Sequence, residues 1–428
     1  MTRHWLSQEL SRQGDSGLSD RLSYVVKMAA KKTRSSRSWI SRRGFLKGTG
    51  ALLVVTFGGA TYRVLQQHAW TGPSGAAWEP WNATLAGGTN PQLNCVAAAI
   101  LAANPHNTQP WLFRVAKDRI DIFADAVRNL GDFDAMRREM RLGLGCALEN
   151  LVLAARANGF APAVSYVPDG QNPDHVACVK LNNGDKTVDD RFKAIPLRHT
   201  NRYAYDKARK IDDAARGRMK AVVDDPETRL LLWDSDSSEG RAFHDLTLDA
   251  TMTLIGDRQV TSDSQRWIRA RWDEIQEHRD GVTLFTSGAT RTIQVLASMT
   301  PEPSEEQSNA YWLKFTRDLH LATASLFGAI LVRELYDSEI TLRAGRIWQR
   351  LHLEATNMGL AMQPLNQDLE LIDLDKERKR DSATAKQFES FAGGGGWRPT
   401  FAFRAGYPLE SAPPSPRRSL SDVLLHDG

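Results

Sequence analysis

Cysteine is scarce in this 428-residue chain. It has three, Cys95, Cys146 and Cys178, with no C-x-x-C pair, which excludes a disulfide framework and a zinc ribbon. The ten histidines are scattered, with no H-E-x-x-H or H-x-x-x-H pair, so nothing local recommends a metal site. The G-x-S-x-G elbow, the P-loop and the G-x-G-x-x-G turn are all missing, which leaves hydrolase and dinucleotide-fingerprint readings unsupported. A basic body is missing too. The formal net charge is +4, yet residues 1–47 hold eleven Lys/Arg against three Asp/Glu, leaving 44 against 48 for the remainder. Nucleic-acid binders carry their basic excess on the folded domain, so no nucleic acid is expected as a partner.

The front of the chain reads as an address. "SRRGFLK" (41–47) sets Arg42 and Arg43 before an uncharged run from Gly48 to Tyr62. Fifteen residues with four glycines fall short of the ~20 that span a bilayer. The layout is that of a twin-arginine (Tat) signal, so residues 1–76 are expected to be a leader, the Tat translocase a partner and the periplasm the destination. Met28 is an alternative start. Ser74-Gly75-Ala76 offers small residues for cleavage, and a retained anchor is the other option. The Tat route carries folded proteins, often ones already loaded with a cofactor.

The body reads as α+β. Residues 90–104 form a short helix and 113–125 two strands around a Lys117-Asp118 turn. Residues 137–158 have helical periodicity closed by Gly159, and "APAVSYVPDG" and "HVACVKL" read as strands. The polar stretch 182–190 marks a boundary. Then follow a helix (212–225), a strand (228–234) and long helices over 239–280 and 309–335. A second glycine-closed helix, in 345–367 with Gly359, leads again to a proline-containing strand, as in 143–164. That repetition predicts two diverged copies of one α+β unit, an internal pseudo-dimer. The copies divide as 77–185 and 186–428, with 286–309 a lid loop and 393–428 an arm that crosses a surface.

Three polar clusters hold the candidate site: "NPHNTQPW" (104–111), "PLRHTNRYAY" (196–205) and "PSPRRSL" (414–420). A helix start at Arg198, Thr200 and Arg202 would aim all three at one anion, and Arg417 and Arg418 stand on a proline-stiffened arm. Guanidinium forks match phosphate oxygens, and a helix N-terminus adds N–H groups. Together, N-x-Q-P-W, R-x-T-x-R and R-x-G-Y-P…P-x-R-R resemble the nitroreductase family of FMN flavoproteins, and within it the tandem, Tat-exported Acg-type branch. The resemblance runs from about residue 90 to the end.

That resemblance implies a nitroreductase-like FMN fold with the cofactor between the copies. It implies that Arg198, Thr200 and Arg202, with Arg417 and Arg418, hold the phosphate. Pro105, His106, Asn107 and Gln109 would reach the ring and ribityl groups, two amides meeting the ring's polar edge. The stretch Pro364-Leu365-Asn366-Gln367 would point backbone N–H groups at flavin N5. The first copy lacks the arginine motif and the second lacks N-x-Q-P-W, so one FMN per chain is expected, with 286–309 filling the vacancy. His106 either contacts the ring or a substrate, or only hydrogen-bonds the loop. Trp111 is expected as a packing anchor. The implied activity is two-electron reduction of a small nitroaromatic or quinone-like acceptor, with NAD(P)H, a quinol or a partner protein as donor. No side chain is assigned as catalytic. The alternative is a non-catalytic FMN-binding protein for storage, sequestration or sensing.

Overall fold

The computed structural model describes residues 66–68, 72–392 and 394–425. The twin-arginine motif and the apolar run after it lie outside the described residues. Among those described, no helix is long and apolar enough to cross a membrane.

Two four-stranded antiparallel sheets repeat one connection pattern. In the first half, α1 (Pro91–Ala99) precedes β1 (Trp111–Val115) and β2 (Arg119–Ala124); α2 (Arg138–Ala157) leads to β3 (Phe160–Tyr166) and β4 (His175–Asn183). The sheet order is β1-β2-β4-β3. After the short helices α3 (Asp190–Ala194) and α4 (Asp213–Ala221), the second half begins with β5 (Thr228–Asp234). Where the first half has a tight turn, an excursion carries α5 (Ser238–Ile255), α6 (Arg258–Gln265), β6 (Ile268–Arg269), α7 (Trp272–His278), β7 (Val282–Thr283), α8 (Arg291–Ser298) and α9 (Glu305–Phe315). Then come β8 (Leu326–Val332), α10 (Ser338–Asn357), β9 (Ala361–Pro364), α11 (Gln367–Glu377), α12 (Ala383–Ala392) and β10 (Arg398–Gly406). The second sheet runs β5-β8-β10-β9, the order of the first.

The two central helices make the repetition physical. Gly159 and Gly359 close them in left-handed conformations, at φ +85° and +71°, which glycine adopts without a Cβ clash. Between them Gly145 sits against the Leu342 carbonyl and Gly345 against that of Leu142. Cys146 Sγ lies 3.2 Å from Gly345 O, and Gln349 Nε2 donates to Asn150 Oδ1 at 2.8 Å. One apolar core runs through both halves, from Trp111, Phe113 and Ile122 to Trp348, Phe401 and Phe403. Trp111 is fully buried there, the packing anchor its sequence position suggests. All three cysteines are free and buried.

Several expectations need correction. Residues 309–335 are not one helix: α9 ends at Phe315, and "LFGAILV" is the fully buried strand β8. A continuous apolar run of seven has no alternation, so periodicity cannot separate buried strand from buried helix. Residues 239–280 break into three helices, and the lid loop contains α8. The C-terminal arm does not merely cross a surface. Arg417, Arg418 and Val423 are buried, and Leu424 bridges to Phe113 of β1. Its backbone thereby satisfies the free edge of the first sheet.

A buried acidic group surrounds the start of α2. Arg138 pairs with Asp373 at 2.8 Å, and Asp134, Glu139, Asp368 and Glu370 are also buried. No hydrogen bond of good geometry reaches either Asp368 oxygen. The nearby N–H groups of Asp368 and Leu369 offset burial only in part, and its carboxyl is pushed up to about 7. A raised native pKa makes a carboxyl's contribution to stability fullest at low pH, lost as pH rises through about 7. Asp368→Asn should therefore stabilise more at pH 8 than at pH 5, by on the order of 3 kcal/mol. Urea unfolding of both proteins at the two pH values checks this; equal effects would show that Asp368 is not a buried charge at pH 8.

Candidate functional site

The segment from Asn104 to Gln109 departs from ordinary backbone. His106, Asn107 and Gln109 have φ of 45°, 56° and 52°, left-handed values that cost a non-glycine residue roughly 1 kcal/mol each. Side-chain and backbone bonds hold it there. Asn104 Oδ1 accepts from Gln109 N at 2.8 Å, and Asn107 O accepts from Gly281 N at 3.1 Å. Asn107 Nδ2 donates to Pro416 O at 2.9 Å, Gln109 Nε2 to Arg279 O at 2.8 Å, and Gln109 Oε1 accepts from Arg418 N at 2.8 Å. Buried Asp280, paired with Arg128 at 2.9 Å and Arg269 at 2.7 Å, fixes the segment that meets the loop. The two amides thus knit the C-terminal arm and residues 279–281 to the loop.

Beside this knot lies a narrow cleft with a free interior volume of about 30 Å³. Asn107, Arg198, Thr200, Arg202 and Arg417 line it, joined by Asn104, Trp81, His199, Thr286 and Ser415. Three stretches far apart in sequence are brought to one place. Arg198 Nη2 donates to Leu101 O at 3.0 Å; Arg417 reaches Ala102 O at 3.1 Å and Asn107 Oδ1 at 2.5 Å; Arg202 donates to Thr286 O at 3.1 Å. Among the described residues, none of the three arginines has an acidic ion-pair partner within 4.0 Å. Buried N–H positions at Arg198 Nε and Nη1 and at Arg417 Nε have no partner, nor does His199 Nδ1.

The electrostatics follow. Burial lowers Arg198 and Arg202 to about 10, with Arg404 adding repulsion on Arg202. Burial, then repulsion from Arg198, sends Arg417 well below its ordinary value. Burial, Arg198 and Arg417 hold His199 near 3, a neutral imidazole. A cleft with this donor set fits an anion bearing several oxygens.

Arg198–Arg202 is not a helix start. It follows a 3-10 turn (Ile195–Leu197) as extended loop, with Arg198 at ψ 111°. The site has guanidinium forks there without a helix dipole. Of the other expected residues, Pro105 packs against Gly143. His106 turns its Nε2 to Ser264 Oγ at 2.9 Å and its ring edge to Phe133. Burial, then Arg202, brings that imidazole to about 4. Arg418 points to Asp125 and the Asp422 carbonyl. Asn366 accepts from Ala402 N at 2.8 Å. These residues, with Gln109, Pro364 and Gln367, are not in the cleft lining. Trp78 and Trp81 were missed. Their indole N–H groups donate to Pro414 O at 2.9 Å and Ser415 O at 2.7 Å, and Arg417 stacks over Trp81. The paired tryptophans of "WEPW" were the available signal.

The pseudo-equivalent position in the second half is occupied by charged residues. Where α2 has Gly143 beside Pro105, α10 has Arg343, paired with Asp225 at 2.8 Å, and Arg350 reaches Asp224 at 2.7 Å. Of the 286–309 segment, Thr286 lines the arginine cleft and Gly288 abuts Arg202.

No family model matches the chain. It is 26% identical over 357 residues to a Mycobacterium tuberculosis protein that carries the provisional name NAD(P)H nitroreductase, covering 76% of this chain and 88% of that one. A second protein of the same organism, provisionally named NAD(P)H nitroreductase acg, is 30% identical over 115 residues, 26% of this chain and 35% of that one. Among solved structures, the FMN-dependent nitroreductase NfnB of Mycobacterium smegmatis in complex with NADPH aligns at 13% identity with a TM-score of 0.36, over 56% of this chain and 98% of that one. By sequence, then, the chain is a relative of proteins named nitroreductases over most of its length.

Proposed function

We propose that the chain is an FMN-dependent oxidoreductase of the nitroreductase type, reducing small nitroaromatic or quinone-like acceptors by two electrons. The unpaired guanidinium set carries this reading. A buried cation without a counter-charge costs several kcal/mol, and a phosphate dianion is the partner that would offset it. The donors present fit the FMN phosphate. Arg198, Arg202 and Arg417 would hold it, with the Thr200 hydroxyl beside them and Trp81 packed under Arg417. Bound there, FMN would supply the two-electron chemistry of its ring. The chain's own part is to bind and orient: the arm closes the cleft through Arg417, and the strained loop keeps Asn107 on that guanidinium. The two copies would stand in for the subunits of a dimer, with the arginine cleft as the FMN site.

The relatives' names favour a nicotinamide donor. Export through the Tat route to the periplasm, read from Arg42 and Arg43, would instead favour a quinol or a protein donor. An anaerobic titration of purified full-length protein decides, with bound flavin measured by acid release. About one FMN per chain, bleached by NADPH or NADH and reoxidised by a nitroaromatic, is the expected result. Bleaching by dithionite alone would support storage or another donor over an NAD(P)H reductase. Failure to take up FMN on reconstitution would overturn the proposal.

A further inference from the structure

Helix α8 is built with its apolar side outward. Ile293, Leu296 and Met299, three residues apart, are 49%, 57% and 37% exposed, while polar Gln294 is 3% exposed. The inward Gln294 has a local purpose: its Nε2 donates to Ala289 O at 2.8 Å and to Tyr203 Oη at 3.3 Å. No such internal partner accounts for the outward stripe. Val295 packs inward beside that amide at 8% exposed, but a short helix that leaves Ile293, Leu296 and the capping Met299 outward departs from the usual pattern of a surface helix.

We propose that this face of α8 is a membrane-contact surface whose occupant is the lipid bilayer. The course of the chain supports that occupant. Gly72 passes the first residue of α8, where a Cβ on it would stand 3.5 Å from Arg291 Nη2. The uncharged run Gly48–Tyr62 ends ten positions before Gly72 in the sequence, a separation of about 35 Å at most for a fully extended chain. A run held at a bilayer would therefore keep α8 within reach of the same surface. Each signal alone gives weak, reversible attachment, and stable attachment takes two. Glu302, Glu305 and Glu306 follow the helix and are exposed, so the attraction is apolar and does not need anionic lipid. The face belongs to the segment whose Thr286 lines the arginine cleft and whose Gly288 abuts Arg202. Docking would bring the cleft to the lipid surface, where a lipid-soluble quinol is available. That consequence rests on the function proposed above; the docking does not.

The test uses the full chain carrying Thr292→Cys labelled with an environment-sensitive fluorophore. Thr292 is exposed, and the three native cysteines are buried. Phosphatidylcholine vesicles should shift the emission to the blue and raise it severalfold, with little change at high salt. Adding Ile293→Ser, Leu296→Ser and Met299→Ser should abolish the response while leaving the far-ultraviolet circular dichroism and the unfolding midpoint in place. Two results would overturn the proposal. One is an unchanged spectrum with vesicles. The other is a shift that grows with protein concentration without vesicles, which would assign the face to a second copy. Neither readout depends on FMN, so failure here leaves the flavin titration standing.

Discussion

Arg417→Met should weaken FMN binding by about 100-fold and at the same time raise the unfolding midpoint of the flavin-free protein. A charge-assisted hydrogen bond is worth roughly 1.5–3 kcal/mol, so losing one or two to a phosphate costs about that factor. The opposite sign for the flavin-free form comes from burial. Arg417 is 2% exposed, repelled by Arg198, and without an ion pair among the described residues. An unbranched apolar side chain of similar length removes that uncompensated charge. The carbonyls of Leu101, Ala102 and Pro416 and the Asn107 Oδ1 lose a donor, which holds the net gain to about 1–2 kcal/mol. Arg417→Lys keeps the charge without the fork, so it should bind FMN at an intermediate level. Flavin affinity and flavin-free urea unfolding, measured on the same preparations, check both signs. A flavin-free Arg417→Met protein that melts below its parent would make Arg417 a structural strut and sink the anion-site reading. Arg198→Met should behave alike, and the pair should be less than additive because the two guanidiniums share the Leu101 carbonyl.

The sequence marked residues of the cleft better than their backbone. Asn107, Arg198, Thr200, Arg202 and Arg417 were legible because their types are costly away from a ligand and their motifs are short and distinctive. That Arg198–Arg202 is extended loop was not, since R-x-T-x-R carries no capping signal that separates a helix start from a loop. The loop amides were read as pointing outward to a ligand. Asn107 does line the cleft, yet both amides are also held by residues 279–281 and 416–418, partners more than a hundred positions away that no local pattern reveals. β8 was hidden by its own burial, as a run apolar on both faces. The central helices were the most legible element, because a 20-residue amphipathic pattern closed by glycine has few other readings. Their mutual contact was not visible, though its signature, a glycine at the equivalent place in each copy, stood in the sequence.

That contact predicts the largest loss of stability. Gly345→Ala should destabilise the protein by at least about 4 kcal/mol, and Gly145→Ala by a similar amount. A Cβ on Gly145 would run into the Leu342 carbonyl oxygen and stand 3.0 Å from the Gly345 Cα; one on Gly345 would meet the Leu142 carbonyl and Cα. These obstacles are backbone, so no rotamer change relieves them and the helices must move apart. Two internal comparisons set the scale. A Cβ on Gly143 would meet mainly side-chain atoms, Pro105 Cδ at 3.0 Å and Asn104 Cβ at 3.1 Å, so Gly143→Ala should cost less. Gly217, on α4, has nothing within 4 Å of its Cβ position, and Gly217→Ala should stabilise by about 0.5–1 kcal/mol through helix propensity. The double variant Gly145→Ala/Gly345→Ala should cost less than the sum, because one separation of the helices relieves both clashes. Urea midpoints for the series read all of this at once. The cleft takes Asn107 from the first copy and its three arginines from the second, so the same separation should release bound FMN before the chain unfolds. A Gly345→Ala protein of parental stability would mean that the two copies are not held at this seam.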